Sequence, residues 1–285
     1  MSALATSLEA PPSGRSAPVW FDYTAYCREK LLDGGSVPWT SPGELSAFFG
    51  KAQGMFQSDA LLVDVADLFA ARVAQDPSLA AAMAARARPG FALRTLLADA
   101  GARGIATGAM TALGAGDSAT PVVLSMPSPA RWLALAAGQA GTPPGAPPEP
   151  RHVEAAAMYV ADLLRIFAGA RVDGLVLDEG SAAQAALVDF EGYRPVLNVA
   201  GHYEWPVWIR TDAAPCWPQG TIDGVAGWFG DRAPDEAGGP WGIVLAVDPG
   251  SAESVPATAP GAAVLAVVAA DADPDAVMGW VRGLS

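Results

Sequence analysis

An α/β fold on a parallel sheet, of the (β/α)8 (TIM) barrel kind, is what this sequence predicts, and three observations carry the prediction. From Pro18 onward, short apolar runs alternate with Ala/Leu-rich stretches, the order expected of parallel strands joined by crossover helices. The runs are continuously apolar rather than alternating, so both faces of the sheet are expected to be covered. The chain has 285 residues, 51% hydrophobic and 16% charged, which suits one large core. A single domain over 18–285 is therefore expected, behind a flexible tail over 1–17.

The strand candidates are "ALLVDV", "TPVVLS", "VDGLVLD", "PVLNVA", "IDGVAG", "GIVLAV" and "AAVLAVV", with "VWIRTD" (207–212) as a weaker eighth, because its Trp and Arg interrupt the apolar pattern. Helices are expected between them. "SPGELSAFFGKAQGMF" offers Ser41 as cap, Pro42 in the first turn and Glu44 at capping-box spacing. "RHVEAAAMYVADLLRIFAG" (151–169) is the clearest helix and ends at Gly169. The Pro/Gly-rich segment 138–151 reads as a surface loop.

Composition restricts the function. A formal charge of −13 repels phosphate backbones and anionic lipid heads, which disfavours nucleic acid and membranes as partners and leaves small neutral or cationic molecules. Cys27 and Cys216 are too few for a disulfide framework or a four-cysteine zinc site and suit a reducing, cytoplasmic compartment. The dinucleotide-binding, nucleoside-triphosphate and serine-hydrolase loop motifs do not occur in the sequence.

In such a barrel the reactive groups come from the C-terminal ends of strands. The first polar positions there are Asp64, Ser125, Asp178 with Glu179, Asn198 followed by His202, Trp228, Asp248 and Asp271. Asp178 and Glu179 are neighbours on a strand, so one is expected to face the barrel while the other braces a loop or helix. A carboxylate against an aromatic wall can have its pKa raised toward neutrality and act as a general acid or base. Trp20, Tyr23, Trp205, Trp208, Trp217 and Trp228 are candidates for such walls, and they favour a small, mainly apolar or aromatic ligand.

The order of motifs resembles the barrel superfamily of uroporphyrinogen decarboxylase and cobalamin-independent methionine synthase. "PVWFDYTAY" (18–26) is similar to the decarboxylase's N-terminal segment, and "ALLVDV" to its first strand with an aspartate near the end. "PVVLSMPSPARWL" is similar to the second strand and its Pro turn, "VDGLVLDEG" to the third, "VLAVDPG" to a later strand, and "AAVLAVVAADADPDAVMGWV" to the closing strand and helix. The resemblance implies a homodimeric barrel enzyme. It is incomplete: Tyr23 and Cys27 stand where the decarboxylase has carboxylate-binding arginines, with Arg28 displaced by one residue, so tetrapyrrole recognition is not expected. Read as a strand end, Asn198-Val199-Ala200 replaces the synthase's His-x-Cys zinc pair, so no metal and no cofactor are expected.

The expectation is a metal-independent, decarboxylase-like lyase. Asp64, Asp178, Glu179, His202 and Tyr203 are its catalytic candidates, and Trp20, Tyr23, Ser125, Asn198, Glu204, Trp228 and Asp248 line the substrate site. Two alternatives stay open, a zinc-free methyltransferase and a non-catalytic binding barrel.

Overall fold

The computed structural model describes residues 3–116, 119–142, 148–180, 190–211, 222–230, 241–247 and 261–284. Helix α1 (Ala3–Glu9) precedes strand β1 (Val19–Asp22), followed by α2 (Thr24–Leu32), α3 (Pro42–Phe56), β2 (Leu61–Asp64), α4 (Val65–Gln75), α5 (Pro77–Ala84), α6 (Phe91–Leu97) and α7 (Ala100–Gly114). Then come β3 (Val122–Pro127), α8 (Pro129–Gln139), α9 (Pro150–Leu164), β4 (Gly174–Asp178), α10 (Arg194–His202) and β5 (Val207–Arg210). Strands β6 (Val225–Gly230), β7 (Trp241–Val247) and β8 (Val264–Val268) and helix α11 (Pro274–Gly283) complete the described elements.

The fold is mixed α/β on a parallel sheet, with strand order β1-β8-β7-β6-β5-β4-β3-β2 and every described pairing parallel. The sheet curls tightly. Strands β1 and β5 are four steps apart in that order, about 19 Å in a flat sheet at the usual spacing. Yet the Trp20 and Trp208 rings of these two strands lie 5.6 Å apart. At the other side of the order, the Asp59 N–H just ahead of β2 donates to Val19 O of β1 at 2.9 Å.

Period-two alternation sorts the side chains. Trp20, Leu62, Val123, Val176, Trp208, Phe229 and Leu265 form an inner cluster, while Phe21, Val63, Leu124, Leu175, Leu177 and Ile209 pack outward in the larger core shared with the helices. The inner cluster is aromatic, with Trp208 and Phe229 stacked at 4.7 Å and Trp20 set edgewise to both. Gly227 makes room for it, since a Cβ there would meet the Trp208 ring at 2.6 Å.

Two expectations are corrected. Residues expected as a flexible tail include α1, whose Leu4 is fully buried in the inner cluster and leaves no room for a Cβ on Gly174, 2.6 Å from Leu4 Cδ2. Asp59 fastens the chain behind it, accepting from Ser13 N and Val19 N, each at 2.8 Å, while its own carbonyl accepts from Ser7 Oγ at 2.8 Å. The second correction concerns "PVLNVA", which is not a strand but part of α10. Its buried Val196, Leu197, Val199 and Ala200 and exposed Asn198 and Gly201 follow helical spacing, and Pro195 sits in the first turn, where its missing N–H costs nothing. Val19–Asp22 and Val207–Arg210 instead supply strands.

The helix expected over 41–56 forms as α3, though Ser41 makes no side-chain cap hydrogen bond. The clearest sequence helix forms as α9. Among the described residues no helix is long and apolar enough to cross a membrane.

Candidate functional site

Three strands end alike: Val-Trp-Phe-Asp22, Leu-Leu-Val-Asp64 and Leu-Val-Leu-Asp178. A fourth, Val-Trp-Ile-Arg210, ends in the opposite charge. Each terminal residue lies two positions beyond a member of the inner cluster (Trp20, Leu62, Val176, Trp208), so each points to the same side of its strand. The apolar inner cluster therefore gives way, at the C-terminal end of the sheet, to charge. A cleft of about 290 Å³ opens there, and Asp22, Asp64, Ser125, Arg131, Asp178 and Arg210 line it together with Asp67.

Ion pairs hold the cleft's charges in place. Arg210 Nη1 donates to Asp22 Oδ2 at 2.9 Å, bridging β5 and β1 across the curled sheet. Arg131, from the first turn of α8, pairs through Nη1 with Asp178 Oδ2, while Asp178 Oδ1 accepts from Gly180 N at 2.8 Å. Asp67 accepts from Arg28 Nη1 at 3.2 Å and Trp39 Nε1 at 2.9 Å.

Asp64 is held differently. It caps α4, its Oδ1 accepting from Ala66 N at 2.8 Å and Asp67 N at 3.1 Å. Those bonds favour the charged form. Desolvation at the cleft floor outweighs them, and the neighbouring charges of Asp22 and Asp67 add to it, so the Asp64 carboxyl is pushed up to about 7. A carboxyl poised there can give or take a proton at neutral pH.

Glu179 is raised as well but lies outside the cleft. The pleat turns it away from Asp178 into the layer between sheet and helices, where it is 2% exposed. Burial pushes its carboxyl up to about 7, against hydrogen bonds from Ser128 and Tyr193 and attraction to Arg131. Asp178 therefore lines the cleft, while Glu179 is buried on the other side of the strand.

The remaining candidates disperse. Ser125 joins Asp64 in the cleft, level with it on the neighbouring strand. Trp20 is completely buried in the inner cluster below. Tyr23 is buried on the outer side, stacked on Phe56 at 5.1 Å, and Trp228 packs outward against Phe190 at 5.5 Å. Asn198 is exposed on α10. Asp248 and Trp217 lie outside the described residues.

His202, Tyr203 and Glu204 do not reach the cleft. Once 194–202 is a helix preceding β5, its C-terminus leads into the start of that strand rather than away from its end. Pro206 O, the last residue before β5, accepts from Leu175 N near the start of β4 at 2.9 Å, which places these residues at the far end of the sheet. His202 is exposed, its ring edge-on to Tyr203 at 4.9 Å. The same correction removes the inference about zinc, because Asn198-Val199-Ala200 no longer occupies a strand end.

Sequence reasoning missed Asp22, Asp67, Arg131 and Arg210. The signal for two of them was present, since the repeated strand ending in Asp extends to Asp22, and Arg210 occupies the equivalent position with inverted charge. Asp67 and Arg131 sit in the first turns of helices, and only the folded chain brings them to the rim.

A second cavity, of about 630 Å³, lies between α3 and α7 beside the starts of β2 and β3, lined by groups such as Phe49, Gln53, Ser58 and Thr120. No ionisable side chain lines it among the described residues, so it offers no group for proton transfer. Among the described residues no cluster of three or more His, Cys, Asp or Glu side chains is arranged to hold a metal. No protein-family model matches this chain, and no characterised protein matches it.

Proposed function

We propose that this protein is a general acid–base enzyme of the decarboxylase-like lyase class, acting on a small polar substrate in the cleft at the C-terminal end of the sheet. The observation that carries the reading is Asp64, a carboxyl near neutrality in a cleft where Asp22 and Asp178 are each paired to an arginine. In a decarboxylation the C–CO2 bond breaks and leaves its electron pair on carbon. Protonated Asp64 delivers a proton to that carbon and regains one from water. Arg131 has five N–H donors on a planar fork and pairs with Asp178 through Nη1, so it can also hold a substrate carboxylate while keeping that pair.

The substrate class changes with the geometry. Trp20, Trp208 and Trp228, expected as a wall, pack away from the cleft, whose lining combines four aspartates and two arginines with Trp132, Leu62 and Leu135. A small substrate whose carboxylate or hydroxyl groups meet the charged part of this lining suits it. Its volume of about 290 Å³ is at the small end for ligand pockets.

We further infer that the curled sheet closes as a (β/α)8 barrel of the uroporphyrinogen decarboxylase and methionine synthase kind. The Asp59 N–Val19 O hydrogen bond that joins the two ends of the strand order, the contact between β1 and β5 and the charged strand ends support this. The methyltransferase alternative would use the same Asp64 as a base toward the methyl acceptor.

The test begins with small carboxylic acids, screened by thermal shift and then by CO2 release. With a compound that is turned over, Asp64→Asn lowers kcat by roughly 10²–10⁴-fold, the range for loss of a general acid or base. Unchanged turnover in Asp64→Asn would overturn the assignment.

A further inference from the structure

Glu179 is the titratable group that the proposed chemistry leaves unused, and its surroundings are more specific than a packing role requires. Its Oε2 accepts from Tyr193 OH at 3.1 Å, and it shares a further hydrogen bond with the Ser128 side chain. Ser128 and Tyr193 are both completely buried and lie side by side at the Glu179 carboxylate. Among the described residues, Glu179 Oε1 has no partner, a costly position for a carboxylate oxygen. Burial of such a group persists only where the surrounding contacts hold it firmly.

These contacts converge on the start of α8. Ser128 is the cap residue of that helix, and its Oγ accepts from Arg131 N at 3.2 Å. Ser128 N donates to Asp178 O at 2.9 Å, pinning the cap to the end of β4. Tyr193 also bonds the backbone of Ala130, in the first turn. Glu179 thus sits beside a helix N-terminus, where a carboxylate is favoured, and three residues after Ser128 comes Arg131, whose guanidinium reaches through the sheet's end to Asp178. Asp178 and Glu179 are adjacent in sequence and face opposite sides of the strand. One holds the tip of Arg131 in the cleft, and the other holds the base of the helix that carries it.

We propose that Glu179 is a positioning residue for the cleft, fixing Arg131 on Asp178 by way of Ser128 and Tyr193 from behind the sheet. Its bearing on catalysis rests on the cleft reading above. The placement of Arg131 can be read without turnover, so the positioning role and the lyase reading can fail separately.

The experiment measures solvent exchange of the Arg131 guanidinium protons by NMR on the full chain labelled with [15N]arginine, with Arg131→Lys identifying the signal. Arg72, paired with Asp76 and Asp99 on the outer helices, serves as an internal control for global loosening. Glu179→Ala is expected to speed Arg131 exchange by about tenfold, the equilibrium factor equivalent to losing one hydrogen bond to a charged group, and to leave Arg72 unchanged. Glu179→Gln keeps an acceptor for both hydroxyls and is expected to stay within about twofold of the unmodified protein. Should Glu179→Ala fail to fold, Tyr193→Phe decides, because it removes the hydroxyl that donates to Glu179 Oε2 while leaving the Ser128 cap on Arg131 N in place, and acceleration in the same direction is expected. Unchanged Arg131 exchange in the variants that fold, or equal acceleration of Arg72, would overturn the positioning role.

Discussion

Two layers of one inner surface, a single pleat repeat apart, do opposite things. Below, Trp20, Trp208 and Phe229 pack against one another in a buried cluster that also holds Leu4. Above, on the same strands two residues later, Asp22, Asp64, Asp178 and Arg210 surround an open cleft. The difference teaches where this protein places stability and where it places chemistry. Burial raises the Asp64 carboxyl where the two layers meet, and the neighbouring charges of Asp22 and Asp67 add to it.

The comparison is broken most severely from below. Trp208→Ala leaves a cavity in the inner cluster and is expected to cost about 3–5 kcal/mol of stability, and Leu4→Ala, which leaves a smaller one beside Gly174, about 3 kcal/mol, both measured by urea unfolding. Losses within about 0.5 kcal/mol, the range of ordinary surface substitutions, would show that the lower layer is not the stabilising one.

A smaller effect comes from the raised carboxyls. Asp64 and Glu179 rise from 3.8 and 4.5 to about 7 on folding, so the folded chain binds both protons more tightly than the unfolded one. Their contribution to stability is complete below about pH 4 and is lost as pH climbs through about 7. Urea midpoints measured at about pH 5 and about pH 8 should therefore fall with pH, and the fall should shrink in Asp64→Asn and in Glu179→Gln. A slope unaltered by either substitution would contradict the burial of these groups.

The smallest effect is expected at the opposite end of the sheet. His202→Ala should leave stability within about 0.5 kcal/mol and leave turnover unchanged, since the exposed His202 side chain stands apart from the cleft. A loss of turnover beyond tenfold would bring the far end of the sheet back into the chemistry.

Much of the sheet was legible because parallel strands covered on both faces are written as uninterrupted apolar runs. The same property misled at 195–200, where a continuous apolar stretch fits a strand or a buried helix equally well; Pro195 and the polar Asn198 at helical spacing were the arbiters. Asp64, Ser125 and Asp178 were legible as inward residues at strand ends. Tryptophans were misassigned because ring size does not reveal which face of a strand a residue occupies, and Trp20 and Trp208 on one side differ from Trp228 on the other only by parity. Asp22 belonged to a strand taken for an N-terminal segment, and Arg131 becomes part of the cleft only through the capping geometry of α8, which no local pattern announces.

The most direct test is a 13C NMR titration of the Asp64 carboxyl in the intact protein. The account predicts a midpoint of about 7, falling in Asp22→Asn because that substitution removes a neighbouring negative charge. A midpoint near the ordinary aspartate value of about 4, indifferent to Asp22, would contradict the assignment of Asp64 as the proton-transfer group.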